Sequence, residues 1–258
     1  MKTVHFVRHG ETEQNKDGIW QGHTNTQLSK TGKAQAKLLS KRINLKNQTV
    51  FTSDLARAKE TAYFLSDSPN VRENLREINV GDFTGKSVKE TYSNNLEIFD
   101  ALQYDTYVFP NGESVQEFKL RVQKEVDHIF DNIDEDSECV VVTHGFFIGT
   151  AIGLVLGFNQ YPYPIGNIQN TSISTVIKRD SVMQVNKFND AIHLPNSYID
   201  YPARDKSRIL TFIRHGQTDS NTQGVWQGHV DNPLNTYGVE TAKQLKGKFS
   251  NYDLYLSS

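Results

Sequence analysis

The chain has 258 residues, of which 36% are hydrophobic and 10% aromatic, enough for one large or two small domains with a packed core. Its 28 lysines and arginines against 30 aspartates and glutamates give a formal charge of −2, which argues against a nucleic-acid partner. The lone Cys139 excludes an internal disulfide, and with no signal-peptide core and no apolar stretch near the roughly 20 residues of a membrane span, the sequence predicts a cytoplasmic protein without a membrane partner.

The predicted elements alternate between strand and helix along the chain. Short apolar runs rich in β-branched residues predict strands, and the run at 139–143 has no polar alternation, which is typical of a strand buried on both faces. Apolar periodicity predicts helices, two of which begin at the capping residues Ser29 and Ser114. In chain order we predict a strand at 3–7, a helix at 29–43, a strand at 50–52, a helix from 54, a short helix at 96–104, a helix at 114–133, a strand at 139–143, a glycine-rich helix after it, and a hairpin of 172–178 with 182–188. This order indicates an α/β fold, with helices on both faces of a mostly parallel, mixed sheet.

One stretch of sequence occurs twice. VHFVRHGETEQNKDGIWQGHTNTQLSKTG near the start is echoed by LTFIRHGQTDSNTQGVWQGHVDNPLNTYG near the end, at an offset of 206 residues. We call these stretches the first and second cassettes. Because a repeated sequence marks a repeated structural unit, we predict a domain at 1–195, a linker at 196–206, and a truncated second copy of the domain at 207–258.

Basic and imidazole side chains follow the ends of the predicted strands. Arg8 and His9 come directly after the first strand, and His144 comes after the strand at 139–143. Arg57 lies in the first turn of the helix behind the second strand. The carboxyl ends of parallel strands meet at one sheet edge, so we expect these groups to converge there. Arginine forks bind phosphate oxygens and a neutral histidine is a nucleophile, so the pattern predicts phosphoryl transfer, with Glu77 in a glycine-punctuated loop as the candidate proton donor.

Five motifs in this order resemble those of the histidine phosphatase superfamily, also called the phosphoglycerate mutase-like family: RHGETEQN, SDLARAKETA, LREINVGDFTG, PNGESVQEF and VVVTHG. The resemblance covers roughly residues 1 to 194. It implies a three-layer α/β/α sandwich. It also implies a hydrolase of the histidine acid phosphatase type, a phosphomonoesterase that acts on a small phosphorylated metabolite through a phosphohistidine intermediate and needs no metal or other cofactor.

The resemblance also implies roles for individual residues. His9 resembles the nucleophile that becomes phosphohistidine, and Glu77 the proton donor. Around them, the implied phosphate pocket comprises Arg8, Arg57 and His144, and the other implied substrate-binding residues are Asn15, Gln21, Gly22 and Gly145.

Other readings of the same motifs stay open. Leu96 to Glu113 contains no lysine or arginine, and Val80 stands where the mutases of the family have a tyrosine; both departures favour a phosphatase. Lys86 and Lys89 are cations that leave a phosphoglycerate mutase-type phosphoryl transfer as the first alternative. A phosphate-binding regulatory pseudoenzyme is the second alternative. The substrate and the oligomeric state, a homo-oligomer included, are not fixed by the sequence.

The second cassette carries only part of this set. It contains His215 and Asn221, but nothing in residues 207–258 corresponds to Arg57, Glu77 or His144. We therefore predict that His215 does not turn over substrate by itself. We also predict a strand at 209–213.

Overall fold

Within the first 195 residues, the part of the chain that the structure describes folds around one mixed sheet of six strands. The strands are β1 (Lys2–Arg8), β2 (Thr49–Thr52), β3 (Asn70–Val71), β4 (Glu138–Thr143), β5 (Ile173–Arg179) and β6 (Val182–Asp190). Their order across the sheet is β3-β2-β4-β1-β5-β6. The first four strands in this order are parallel, and β5 and β6 form an antiparallel hairpin beside β1. The predicted mostly parallel sheet with one hairpin is confirmed.

The helices follow the predicted order, with additions. They are α1 (Glu13–Lys16), α2 (Lys30–Arg42), α3 (Ala56–Tyr63), α4 (Val88–Asn94), α5 (Val115–Asn132) and α6 (Gly145–Val155). Ser29 caps α2 by accepting from the Gly32 N–H at 3.0 Å, and Ser114 caps α5 by accepting from the Glu117 N–H at 3.1 Å, as predicted. The sequence of α4, VKETYSN, is short and mostly polar, so it lacks the apolar periodicity that would have predicted it.

The core lies in two layers, one on each face of the sheet. Val4 and Phe6 of β1 and Val141 of β4 pack in a cluster with the apolar faces of α5 and α6. The alternate positions Val7 and Val140 pack in a second cluster with α2 and α3. Residues 139–143 are fully buried, which confirms the strand predicted to be covered on both sides. Helices therefore cover both faces of the sheet, and the three-layer sandwich is confirmed.

The computed structural model describes residues 1–43, 48–94, 107–158, 167–195, 212–245 and 256–257. The chain divides into two units, Met1–Ser197 and Tyr198–Ser258. The short helix predicted at 96–104 and residues 209–211 of the predicted tail strand lie outside the described residues. Within the described ranges, no helix has the length and apolar character needed to cross a membrane.

The second unit repeats the local geometry of the first cassette. Its helices are α7 (Asp219–Thr222) and α8 (Thr236–Leu245). The His215 ring donates to the Gly216 carbonyl at 2.7 Å, as the His9 ring does to the Gly10 carbonyl at 2.7 Å. A capping box joins Thr218 to Asn221, and the equivalent box joins Thr12 to Asn15. Exposure differs sharply between the two units: Trp226 is 99% exposed, whereas its equivalent Trp20 is 7% exposed. Phe212 and Ile213, the described residues of the strand predicted at 209–213, form no strand.

Candidate active site

Two histidines lie side by side where the central strands end. β1 and β4 are parallel neighbours, with Arg8 paired to Thr143, so the residues that follow them emerge at the same edge. The His9 N–H donates to the Thr143 carbonyl at 2.9 Å. The ring centroids of His9 and His144 are 5.2 Å apart. The structure therefore brings both predicted histidines into one site.

The hydrogen bonds of His9 define its tautomer. Its Nδ1 faces the Gly10 carbonyl, which only accepts, so the ring proton lies on Nδ1. The lone pair then lies on Nε2, which accepts from Arg57 Nε at 3.3 Å. Burial, reinforced by Arg57 and Arg8, holds the pKa of His9 well below its usual value of 6.5. The ring is thus neutral, with a nucleophilic nitrogen directed at the cationic side of the site.

Arg57 is held by the backbone of the loop that follows α1. Its two terminal nitrogens donate to the carbonyls of Thr24 at 2.7 Å and Gly22 at 2.9 Å. Burial lowers the pKa of Arg57 to about 10, which leaves it charged at neutral pH. The contact of Gly22 in the site is therefore its carbonyl, which fixes the orientation of Arg57.

Several buried polar atoms of the site have no hydrogen-bond partner among the described residues. Both ring nitrogens of the fully buried His144 and the Nε of Arg8 are in this group. A Cβ on Gly145 would lie 3.5 Å from Arg8 Nε, so this guanidinium lies against the start of α6. Buried polar groups in folded proteins are nearly always paired, so donors left unpaired at a strand end favour an anionic ligand with several oxygens.

Glu77 lies at the N-terminus of α6. Its carboxylate oxygens accept from the Phe146 and Phe147 N–H groups, both at 3.2 Å, and from the Ile78 N–H at 3.1 Å. Phe146 and Phe147 belong to the first turn of the helix, whose N–H groups have no partner within the helix. Burial raises the pKa of Glu77 above 4.5, against the opposing effect of these N–H groups and of Arg57. A carboxyl group in this environment is suited to hold a proton.

The amide side chains predicted to bind substrate make contacts within the protein. Asn15 Oδ1 accepts from the Thr12 N–H at 3.2 Å and from Asn170 Nδ2 at 3.3 Å. Gln21 Oε1 accepts from the hydroxyls of Thr12 at 3.0 Å and Thr26 at 2.8 Å. The same Asn170 amide also donates to the His9 carbonyl at 2.9 Å. The structure thus links Asn15 to His9 through one side chain and places Gln21 one contact further away.

Two residues of the site were not predicted. Asn170 bridges His9 and Asn15, and it precedes Thr171, whose φ of 58° is unusual for a β-branched residue. Arg121 on α5 donates to the Glu77 carbonyl at 3.2 Å. Neither residue belongs to one of the five motifs. Each reaches the site through a backbone carbonyl, that of His9 for Asn170 and that of Glu77 for Arg121, and a carbonyl has no side-chain identity to recognise.

Comparisons with known proteins find relatives that are named as phosphoglycerate mutases or as phosphatases. The chain is 28% identical over 213 residues to a probable phosphoglycerate mutase GpmB of Enterobacter sp. (strain 638). This alignment covers 80% of this chain and 99% of that protein. A metal-independent phosphoserine phosphatase of Arabidopsis thaliana is 30% identical over 199 residues, covering 73% of this chain and 82% of that protein. A mutant phosphoserine phosphatase from Entamoeba histolytica, solved in complex with phosphoserine, is structurally similar with a TM-score of 0.68 and 27% identity, covering 76% of this chain and all of that one.

The family profile matches the chain twice. The profile of the histidine phosphatase superfamily (branch 1) aligns with residues 4–191 and again with residues 210–257. The first match covers the strand ends and helices that form the site, and the second covers the second cassette and continues to residue 257. The chain therefore belongs to the histidine phosphatase superfamily.

Proposed function

We propose that the protein is a phosphomonoesterase that acts through a phosphohistidine at His9. In the first step, His9 Nε2 attacks phosphorus and the bond between phosphorus and the ester oxygen breaks. Glu77 gives its proton to the departing oxygen, which leaves as an alcohol. In the second step, the Glu77 carboxylate takes a proton from water, whose oxygen attacks phosphorus. Inorganic phosphate leaves and His9 returns to its neutral form.

The observation that carries this proposal is the state of His9. It is buried, neutral and held in one tautomer, with its Nε2 lone pair beside Arg57. The unpaired donors of Arg8 and His144 lie at the same strand ends, where the Arg8 guanidinium would neutralise charge on the phosphoryl oxygens and His144 would donate a hydrogen bond to them. We assign Asn15, Gln21, Gly22 and Gly145 to the walls of this phosphate pocket, and residues 1–195 to the catalytic domain.

The proposed acid is supported by its environment. An effective general acid must hold its proton near the working pH, and burial raises the pKa of Glu77 in that direction. His9 must instead be unprotonated, and burial lowers its pKa. Arg57 and Arg8 influence the pKa of both groups, and opposite shifts of two such groups are the pattern expected of an acid and a nucleophile that work together.

We further propose a small phosphorylated metabolite as substrate. Two of the relatives are phosphoserine phosphatases by name, and one of these was solved with phosphoserine bound. A mutase remains the second candidate because other relatives carry the name probable phosphoglycerate mutase. Val80, at the position where mutases have a tyrosine, is 1% exposed and packs in the core, so it offers no polar group to a substrate.

Phosphate release separates the candidates. We expect the wild-type protein to release phosphate from p-nitrophenyl phosphate and phosphoserine, and His9→Ala to lose at least about 1000-fold in rate, since each tenfold factor corresponds to about 1.4 kcal/mol of barrier. Acid-labile phosphate on the His9 ring should be trapped during turnover. Faster conversion of 3- to 2-phosphoglycerate than phosphate release would favour the mutase. No turnover of any of these substrates would favour the binding protein.

A further inference from the structure

The segment that carries Glu77 is irregular, so its backbone carbonyls need donors from elsewhere. Residues 76–80 belong to no helix or strand. Arg121 donates through one terminal nitrogen to the carbonyls of Asn74 at 2.8 Å and Arg76 at 2.9 Å, and through the other to the carbonyl of Glu77 at 3.2 Å. A single guanidinium therefore supplies the hydrogen-bond donors that these three backbone carbonyls need.

The remaining donors of Arg121 are equally committed. Its Nε and one terminal nitrogen bind the two carboxylate oxygens of Glu113 at 2.9 and 2.8 Å. Glu113 in turn accepts from the Asn79 N–H at 3.2 Å, on the other side of Glu77. All five N–H groups of the guanidinium are thus used. The Arg121–Glu113 pair is largely shielded, with 19% and 15% of the side chains exposed.

A second side chain contacts the same carbonyl of Glu77. His23 Nε2 donates to it at 2.7 Å, from the loop whose Gly22 and Thr24 carbonyls hold Arg57. The backbone of Glu77 is therefore fixed by α5 on one side and by the loop that holds Arg57 on the other. This arrangement ties the position of the carboxyl group to that of the phosphate pocket.

We propose that Arg121 is a positioning residue that sets the reach of Glu77 to the departing oxygen of the substrate, with His23 as the second contact. The inference rests on the proposed function, in which Glu77 is the proton donor. Proton transfer requires the two heavy atoms to approach within about 2.6–3.2 Å, so a small displacement of the Glu77 backbone removes it. Lysine keeps the charge but supplies three donors on a flexible stem, and therefore does not reproduce these contacts.

Leaving groups of different basicity test this role. The alkoxide of phosphoserine needs a proton to depart, whereas p-nitrophenolate departs without one. We compare kcat/KM, which reports the steps up to phosphohistidine formation and not the later hydrolysis, in which Glu77 also takes part. For Arg121→Lys we expect kcat/KM for phosphoserine to fall about 100-fold, the loss typical of a 1 Å misplacement, with kcat/KM for p-nitrophenyl phosphate close to that of wild type. His23→Ala should shift the ratio of the two rates in the same direction. It provides a second test through a half-buried side chain if Arg121→Lys folds poorly.

Arg72→Lys is the matched control. Arg72 also binds a glutamate of α5, Glu125, through two nitrogens, but it makes none of the contacts to residues 74–77 that Arg121 makes. We expect this variant to leave the ratio of the two rates unchanged even if it lowers the melting temperature. A changed ratio here would mean that loosening α5 in general, rather than the contact to Glu77, causes the effect.

A double-mutant cycle shows whether Arg121 acts through Glu77. Glu77→Gln should reproduce the selective loss in kcat/KM for phosphoserine, and Arg121→Lys should add little to it, because the group being positioned is already disabled. Equal losses on both substrates for Arg121→Lys, or a further 100-fold loss in the Glu77→Gln background, would overturn the positioning role while leaving the phosphatase intact. Absence of any wild-type turnover would overturn the proposed function itself.

Discussion

Gly32→Ala is expected to disable the site from outside it. Gly32 of α2 packs against the loop after His9. A Cβ on Gly32 would lie 2.1 Å from the carbonyl oxygen of Glu11 and 2.8 Å from the backbone nitrogen of Glu11. Ordinary contact begins near 3.4 Å, so the loop must move by more than about 1 Å to accept a methyl group. Glu11 is two residues from the proposed nucleophile. A displacement of this size costs roughly 100-fold in rate.

The assay is kcat/KM for p-nitrophenyl phosphate, with thermal unfolding measured alongside it. We expect a loss of about 100-fold in kcat/KM and about 1–3 kcal/mol in the free energy of unfolding, the usual cost of overpacking. The second cassette supplies a matched control, because a Cβ on Gly238 would lie 2.1 Å from the Gln217 carbonyl oxygen. Gly238→Ala should leave kcat/KM unchanged. If Gly32→Ala keeps kcat/KM within about threefold of wild type, the nucleophile does not depend on this close packing.

Three further outcomes follow from the site and its surroundings. The kcat/KM for phosphoserine should be bell-shaped in pH. Burial lowers the pKa of His9, so the nucleophile is protonated only well below pH 6.5, and burial raises the pKa of Glu77, so the acid is lost at a higher pH than for an exposed glutamate; a kcat/KM that keeps increasing into alkaline solution would contradict this assignment. His215→Ala should keep the full kcat of the wild type, and a tenfold loss would assign the second cassette a catalytic part. Arg72→Ala should lower the free energy of unfolding in urea by about 3 kcal/mol, since it leaves the carboxylate of Glu125, 1% exposed, without its cation; a loss below about 1 kcal/mol would mean that Asn74 alone satisfies this charge.

The sheet and the convergence of the site were predictable because both depend on local patterns. An apolar run such as 139–143 predicts a buried strand, and the parallel arrangement brings whatever follows each strand to one edge. His9 and His144 follow neighbouring parallel strands, and Arg57 lies in the first turn of α3, as predicted. The order of residues alone was therefore enough to place these three side chains together.

The supports of the site were not predictable. Arg121 and Glu77 are 44 residues apart, and their contact joins a guanidinium to a backbone oxygen, which every residue type possesses. The same holds for Asn170, which contacts the carbonyl of His9 161 residues away. The position of Glu77 at the first turn of α6 also has no sequence signal, since the donors are the N–H groups of Phe146 and Phe147. Partners of this kind become visible only when the chain is folded.

The loop that holds the proposed nucleophile keeps its shape in the second cassette, although residues 212–245 and 256–257, the part of the second unit that the structure describes, contain no strand. The bond from the His215 ring to Gly216, the capping box of Thr218 with Asn221, and the close approach of Gly216 to Gly238 all lie within residues 215–238. The conformational entropy of this loop is thus lost once, when the chain folds, and not again in each catalytic cycle. In the first unit, the attraction between the phosphoryl group and its cations then remains available to lower the activation barrier rather than to order the loop.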